Sequence, residues 1–227
     1  MKILALDTAT NSCSVAATDD GVLSAELTIR KNQTHSKHLM ELVHSVLEIA
    51  GFDVADLDGL AVTIGPGSFT GLRIGISTIK GLAHALGKPV VGVSTLEALA
   101  WQCGQTSYLI CPLLDARKGE VYAATYRFNA GQLVQKTSAR AMIPEAVVED
   151  IKSPCVFIGT GVRLYRQSIV AAAGSLAHFV PAGQNVVRAS SVAFLSMPRF
   201  ESDDIDGIEA LVPHYIRKSD AELNFDR

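Results

Sequence analysis

The chain has 227 residues, 48% of them hydrophobic and 19% charged, with a net charge of −3. That length suits one large domain or two of roughly 100 residues each, and the composition excludes a disordered chain. No apolar run approaches the roughly 18–20 residues that cross a bilayer, Met1–Asp7 is too short for a secretory leader, and the acidic balance argues against a stand-alone nucleic-acid binder, so a cytoplasmic protein is expected.

Lys2–Asp7 (KILALD) reads as an apolar strand ending in an acid. After a polar turn, Ser14–Thr18 reads as a second strand. Asp19-Asp20-Gly21 is a hairpin signal, and Val22–Ile29 alternates as a third strand. Thr34 to Ala50 reads as a helix, capped by Thr34 or Ser36 and ended by Gly51. Leu39, Leu42, Val43, Val46 and Ala50 form one apolar stripe, and Met40, His44 and Leu47 a second. More than one face of this helix is therefore expected to be covered. Leu60–Ile64 is a buried-type strand running into Gly65-Pro66-Gly67-Ser68-Phe69-Thr70-Gly71. A second helix follows, from about Thr70 to Leu86, stopped by Gly87 and Pro89. Gly71, Gly75 and Thr78 give it a small-residue stripe. Glycine costs about 1 kcal/mol against alanine inside a helix, so Gly75 and Gly81 imply close approach by another element. Val90–Val93 is a strand, and Ser94 can cap a helix from Thr95 to about Trp101.

Gly104–Ser107 reads as a boundary, after which the pattern restarts. Tyr108–Leu114 and Glu120–Phe128 read as strands joined by the turn Asp115–Gly119. Asn129-Ala130-Gly131 is another turn. Pro144–Ile151 is a short helix and Cys155–Ile158 a buried strand. Gly159-Thr160-Gly161 leads into a helix to about Ala173. Ser190 or Ser191 caps a helix to about Met197, and Pro213–Arg227 is a polar tail. The expected organisation is α/β, with one unit over 1–104 and a second over 105–227. Cys13, Cys103, Cys111 and Cys155 form no CxxC pair, so free thiols are expected.

Few constellations carry chemistry. The Gly65–Gly71 loop is either a phosphate cradle at a helix start or a tight turn whose glycines permit close packing. Asp7-Thr8-Ala9-Thr10 ends a strand. It can hold a hydrated Mg²⁺ and phosphate, or form an Asx-type turn. His35, His38 and His44 lack the i,i+4 spacing of a metal pair, and no GxSxG is present. Asp115-Ala116-Arg117-Lys118-Gly119-Glu120 is either a solvated hairpin tip or a polar contact through Asp115, Arg117 and Glu120.

Four segments occur together in one known family. They are Ile3-Leu4-Ala5-Leu6-Asp7-Thr8, Gly65-Pro66-Gly67-Ser68-Phe69-Thr70-Gly71-Leu72-Arg73-Ile74-Gly75, Ser94-Thr95-Leu96-Glu97-Ala98 and Asp115-Ala116-Arg117-Lys118-Gly119-Glu120-Val121-Tyr122. In these segments the chain resembles the TsaB (YeaZ-like) family of bacterial tRNA threonylcarbamoyladenosine biosynthesis proteins. The resemblance implies an actin/Hsp70-like fold of two α/β lobes. It implies a non-catalytic subunit for threonylcarbamoylation of N6 of the adenosine beside the anticodon, in tRNAs reading codons that begin with A. The implied partners are the catalytic paralogue TsaD and the ATPase TsaE, with tRNA met only through the complex. A homodimer is implied when the chain is alone. ATP is used by the complex, and no cofactor or metal is bound firmly by this chain.

The catalytic paralogue carries a metal-binding HxxxH whose histidines would fall at Thr95 and Leu99, with Glu97 retained between them. Leu99 has no donor atom and Thr95 only a weak one. Asp7, Thr8, Gly159 and Gly161 remain as echoes of a nucleotide cleft. The resemblance places a dimer interface on the two N-terminal helices, with Met40, His44, Leu47, Gly71, Arg73, Gly75 and Thr78 as its candidates. The competing readings are an autonomous actin-like ATPase, a glycoprotease-like metallopeptidase, and a direct tRNA reader using Arg127, Arg140, Arg163 and Arg166. Arg217 and Lys218 are either partner contacts or solvated.

Overall fold

In the computed structural model, which describes residues 1–30 and 35–217, strands β1 (Lys2–Asp7), β2 (Ser12–Asp19) and β3 (Val22–Arg30) form an antiparallel meander. Strands β4 (Gly59–Gly65) and β5 (Val90–Ser94) add to β1 in parallel, for a sheet order β3-β2-β1-β4-β5. Helices α1 (Leu39–Ala50) and α2 (Phe69–Leu86) cover one face. There Leu4, Leu6, Val15 and Val62 pack with Leu39, Val43, Val46, Ile76 and Ile79. A short helix, α3 (Thr95–Trp101), follows β5.

Helix α1 begins at Leu39 rather than at Thr34. Ser36–Lys37 lie in a 3-10 turn, exposed and polar, with nothing apolar to hold another turn on the sheet. Thr34 and Lys218 lie outside the described residues. Gly51 and Gly87 end α1 and α2 in the left-handed conformation, as the glycines predicted.

The second unit uses the same plan. Strands β6 (Leu109–Arg117) and β7 (Glu120–Ala123) are antiparallel. β8 (Tyr126–Asn129), β9 (Gln132–Lys136) and β10 (Arg140–Met142) follow. Helix α4 (Pro144–Glu149), strand β11 (Cys155–Ile158), helix α5 (Thr160–Ala173) and strand β12 (Ala177–Phe179) complete it. The main order is β10-β7-β6-β11-β12, again antiparallel strands followed by two parallel ones. The single strand expected over Glu120–Phe128 is broken after Ala123, because β7 pairs β10 whereas β8 pairs β9. Cys111, Leu113, Val121, Phe157, Val162 and Ile169 build this unit's core. All four cysteines are free.

Helix α6 (Ala189–Glu201) returns to the first unit and packs on β1, β2, β4 and β5. The units are therefore Met1–Ala98 with Val187–Pro213, and Leu99–Val186 with the segment from His214. This differs from the expected division at 104/105. Val192 and Ala193 need an apolar face, and strand alternation leaves Ile3, Ala5, Ala61 and Val91 buried on the face away from α1 and α2. A Cβ at Gly59 would overlap the Phe200 ring, so that glycine lets α6 approach the sheet. Ser190 and Ser191 lie inside α6 rather than capping it, and the N-cap is Arg188.

Candidate functional site

Asp7 ends β1 with its side chain fully buried. Its Oδ1 accepts from Thr63 Oγ1 at 2.8 Å and from the Ala9 amide at 3.2 Å, while Oδ2 has no partner. Burial pushes its pKa up to about 7, against the opposing pull of those two hydrogen bonds. The Asx-type turn is therefore present, around a carboxyl that is costly to ionise.

The next residues lock the glycine loop. Thr8 Oγ1 donates to the Gly71 carbonyl at 2.7 Å, and the Ser68 amide donates to the Ala9 carbonyl at 2.7 Å. A Cβ at Gly67 would overlap the Ala9 carbonyl oxygen. One at Gly71 would overlap that of Thr8, and one at Gly75 would overlap Thr8 Oγ1. These glycines admit the chain's own β1–β2 turn, so the packing reading of the loop holds. Ser68 caps α2 by accepting from the Gly71 amide.

That geometry corrects the surface reading of three residues. Gly71 and Gly75 face inward and cannot line an outer face. Leu47 sits in the core at 7% exposure, because α1 presents it to the sheet beside Val43 and Val46. Met40, His44 and Arg73 are exposed, and Thr78 is half-buried, its hydroxyl bonded to the Ile74 carbonyl. The sequence stripe missed Gly81, which is exposed with nothing within 4 Å of its Cβ position. On α2, Phe69, Thr70, Arg73, Ile74 and Ser77 line an open hollow of about 420 Å³. The Arg73 guanidinium carbon stacks 3.9 Å from the Phe69 ring centroid.

Thr95 is buried with its hydroxyl unpartnered, and Leu99 is buried as an ordinary core residue. Glu97 is half-buried. Among the described residues no three His, Cys, Asp or Glu side chains are placed to hold a metal.

In the second unit Asp115 Oδ1 accepts the Arg117 amide at 2.9 Å, and the Asp115 amide donates to Thr160 Oγ1 at 3.2 Å. Arg117, Lys118 and Gly119 all turn at positive φ. Arg117 projects outward with its side chain 75% exposed. Glu120 is held by Arg217 at 2.9 Å, a pairing that sequence reasoning missed. Arg217 is thus engaged within its own unit. Gly159 and Gly161 pack against the Leu113 carbonyl, again using glycine for close approach. Of the basic residues weighed for tRNA, Arg140 pairs Asp150, Arg127 donates to the Ser107 carbonyl and Arg166 stacks on Phe179. No helix is long and apolar enough to cross a membrane among the described residues.

Residues 24–225 match the family model described as TsaD: tRNA N6-adenosine threonylcarbamoyltransferase. The chain is 35% identical to the tRNA threonylcarbamoyladenosine biosynthesis protein TsaB of Bacillus subtilis, over 99% of this chain and 98% of that one. A crystal structure of a Pseudomonas aeruginosa protein described as similar to peptidase YEAZ superposes with a TM-score of 0.83 at 29% identity, covering 95% of this chain and 99% of that one. The ethanolamine utilization protein EutJ of Carboxydothermus hydrogenoformans, 13% identical with a TM-score of 0.54 over 86% of this chain and 90% of that one, shares the fold alone. The architecture is the actin/Hsp70-like one, and the chain belongs to the TsaD-type family that this model describes and, within it, to the TsaB proteins.

Proposed function

We propose that this chain serves tRNA threonylcarbamoyladenosine biosynthesis in the cytoplasm as a non-catalytic subunit. It pairs with the catalytic paralogue TsaD through the outer faces of α1 and α2, is joined by the ATPase TsaE, and meets tRNA only within that assembly. Alone, it pairs with a second copy. ATP is consumed by the assembly, and this chain holds no cofactor firmly. The observation that carries the reading is the pair Thr95 and Leu99, a buried hydroxyl and a buried hydrocarbon where a metal-binding paralogue has histidines. Loop glycines already filled by Thr8 and Ala9 support it, since they leave no open backbone cradle for phosphate. The docking face is carried by Met40, His44, Arg73, Thr78 and the open Gly81, whose helix cost has no reason inside the chain.

The test is ATP turnover and zinc content of the purified chain, alone and with its catalytic paralogue. The expected result is no metal and negligible turnover alone, with tRNA modification only in the complete mixture. Steady turnover by the chain alone, lost in Asp7→Ala, would make it an actin-like ATPase instead.

A further inference from the structure

The net charge of −3 is unevenly spread. Residues 99–186 of the second unit carry eight Lys and Arg against five Asp and Glu, whereas residues 1–98 of the first carry seven against ten. Four of the second unit's cations are engaged at home: Arg140 on Asp150, Arg127 on the Ser107 carbonyl, Arg166 on the Phe179 ring and Lys152 on the Glu149 carbonyl. Arg117 approaches Asp115 at 3.8 Å with its side chain 75% exposed, and Arg163 is exposed on α5.

Neither arginine sits where stability would put it. The β6–β7 turn needs two left-handed residues, Lys118 and Gly119. Arg117 before them also turns left-handed, at φ 65, beside a shift of strand register between Asp115 and Arg117. Side chains rarely adopt that conformation, and such a bulge re-aims the side chain it carries. Arg163 lies in the first turn of α5, which holds no acidic residue, and a cation there opposes the helix dipole. The 3.2 Å bond from the Asp115 amide to Thr160 Oγ1 ties the start of α5 to the base of the hairpin. Arg163, three residues on from Thr160, shares its side of the helix, so both guanidiniums stand at one end of the unit. Arg217 is there too, where it neutralises Glu120.

We propose that Arg117 and Arg163 hold the phosphate backbone of tRNA within the assembly. The inference rests on the tRNA-modification reading proposed above and adds an RNA contact on the second unit. RNA is the occupant because guanidiniums match phosphate oxygens, and a backbone contact asks for exposed charge rather than a shaped pocket. Two such contacts are too few for the chain to hold RNA alone. That agrees with its acidic balance and leaves the rest of the grip to its partners.

The experiment titrates a labelled, unmodified tRNA transcript with the complex of this chain, its catalytic paralogue and the ATPase, from about 50 to 200 mM salt. It compares wild type with Arg117→Asn, Arg163→Gln and the double variant. Asparagine tolerates the left-handed position and glutamine suits a helix. Gel filtration and a melting curve check that each variant folds and enters the complex. The double variant is expected to bind tRNA roughly tenfold more weakly at low salt, and the slope of log affinity against log salt to fall by about 1 for each cation removed. An unchanged affinity and slope in a folded, assembled double variant overturns the contact. So does a weaker affinity with an unchanged slope, because lost phosphate contacts must release fewer counterions. A folded variant that no longer enters the complex makes the patch a protein contact and overturns it equally. A wild-type complex that binds no tRNA overturns the proposed function and this inference with it.

Discussion

Glu26 on β3 accepts a 2.8 Å hydrogen bond from Arg188 Nε across 162 residues of sequence. Its Oε1 takes the Ser190 amide and hydroxyl, each at 3.0 Å. A strand carboxylate thus caps α6, whose own N-cap residue offers no capping side chain. Negative charge is favoured at a helix N-terminus by the exposed amides and the helix dipole. This tie joins α6 to the first sheet.

Glu26→Ala is expected to destabilise the protein. The Glu26 side chain is only 3% exposed, and its loss leaves the Ser190 amide and hydroxyl at the start of α6 without their acceptor, while the half-exposed Arg188 turns to water. Losing such a cap costs about 1–2 kcal/mol, which lowers the melting temperature by about 2–8 °C in a chain of this size. Calorimetry of the two proteins measures it, and an unchanged melting temperature would remove this cap from the account.

Gly75 and Gly81 separate packing from docking. Gly75→Leu drives a side chain into Thr8 and is expected to cost at least about 1–3 kcal/mol of fold stability. Gly81→Leu meets open space and removes the helix cost of glycine, so it is expected to raise the melting temperature by about 2–4 °C, while lowering the dimer fraction seen by light scattering. The opposite pattern would return the inner glycine stripe to the interface.

Asp7 makes stability depend on pH. Its folded pKa, about 7, lies above its ordinary value of 3.8, so the folded state holds this proton more tightly than the unfolded chain does. The associated stability is fully present below about pH 4 and is lost as pH rises through 7. Asp7→Asn is therefore expected to flatten the pH dependence between 4 and 8 and to melt higher than wild type at pH 8. Urea unfolding of both proteins across that range measures the difference, and parallel curves would place the proton elsewhere.

Thr95→Val removes a buried hydroxyl that has no partner and keeps the side-chain shape. Stability is expected to rise by about 1 kcal/mol, with tRNA modification in cells unchanged. Loss of modification in a stably folded Thr95→Val protein would make Thr95 a working residue.

Local signals were enough for the elements that carry them. The Asp20-Gly21 turn, the Gly51 and Gly87 stops and the apolar runs of β1, β4, β5 and β11 appear within a residue or two of where the sequence puts them. Weakly patterned strands were not legible. β9 is exposed at four of its five residues, and β12 has only three residues, so neither alternates long enough to declare a face. The glycines of α2 announced close approach, but sequence cannot say from which side. Only the fold shows Thr8 and Ala9 filling the space at Gly67, Gly71 and Gly75 and leaves Gly81 open. The sequence by itself determined the order of α/β elements, the family and the absence of ligand atoms at Leu99. The tertiary structure decided which helix closes which sheet, that Glu26 caps α6 and that Asp7 is buried. Those depend on residues brought together from distant parts of the chain, where no local period or turn signal reaches.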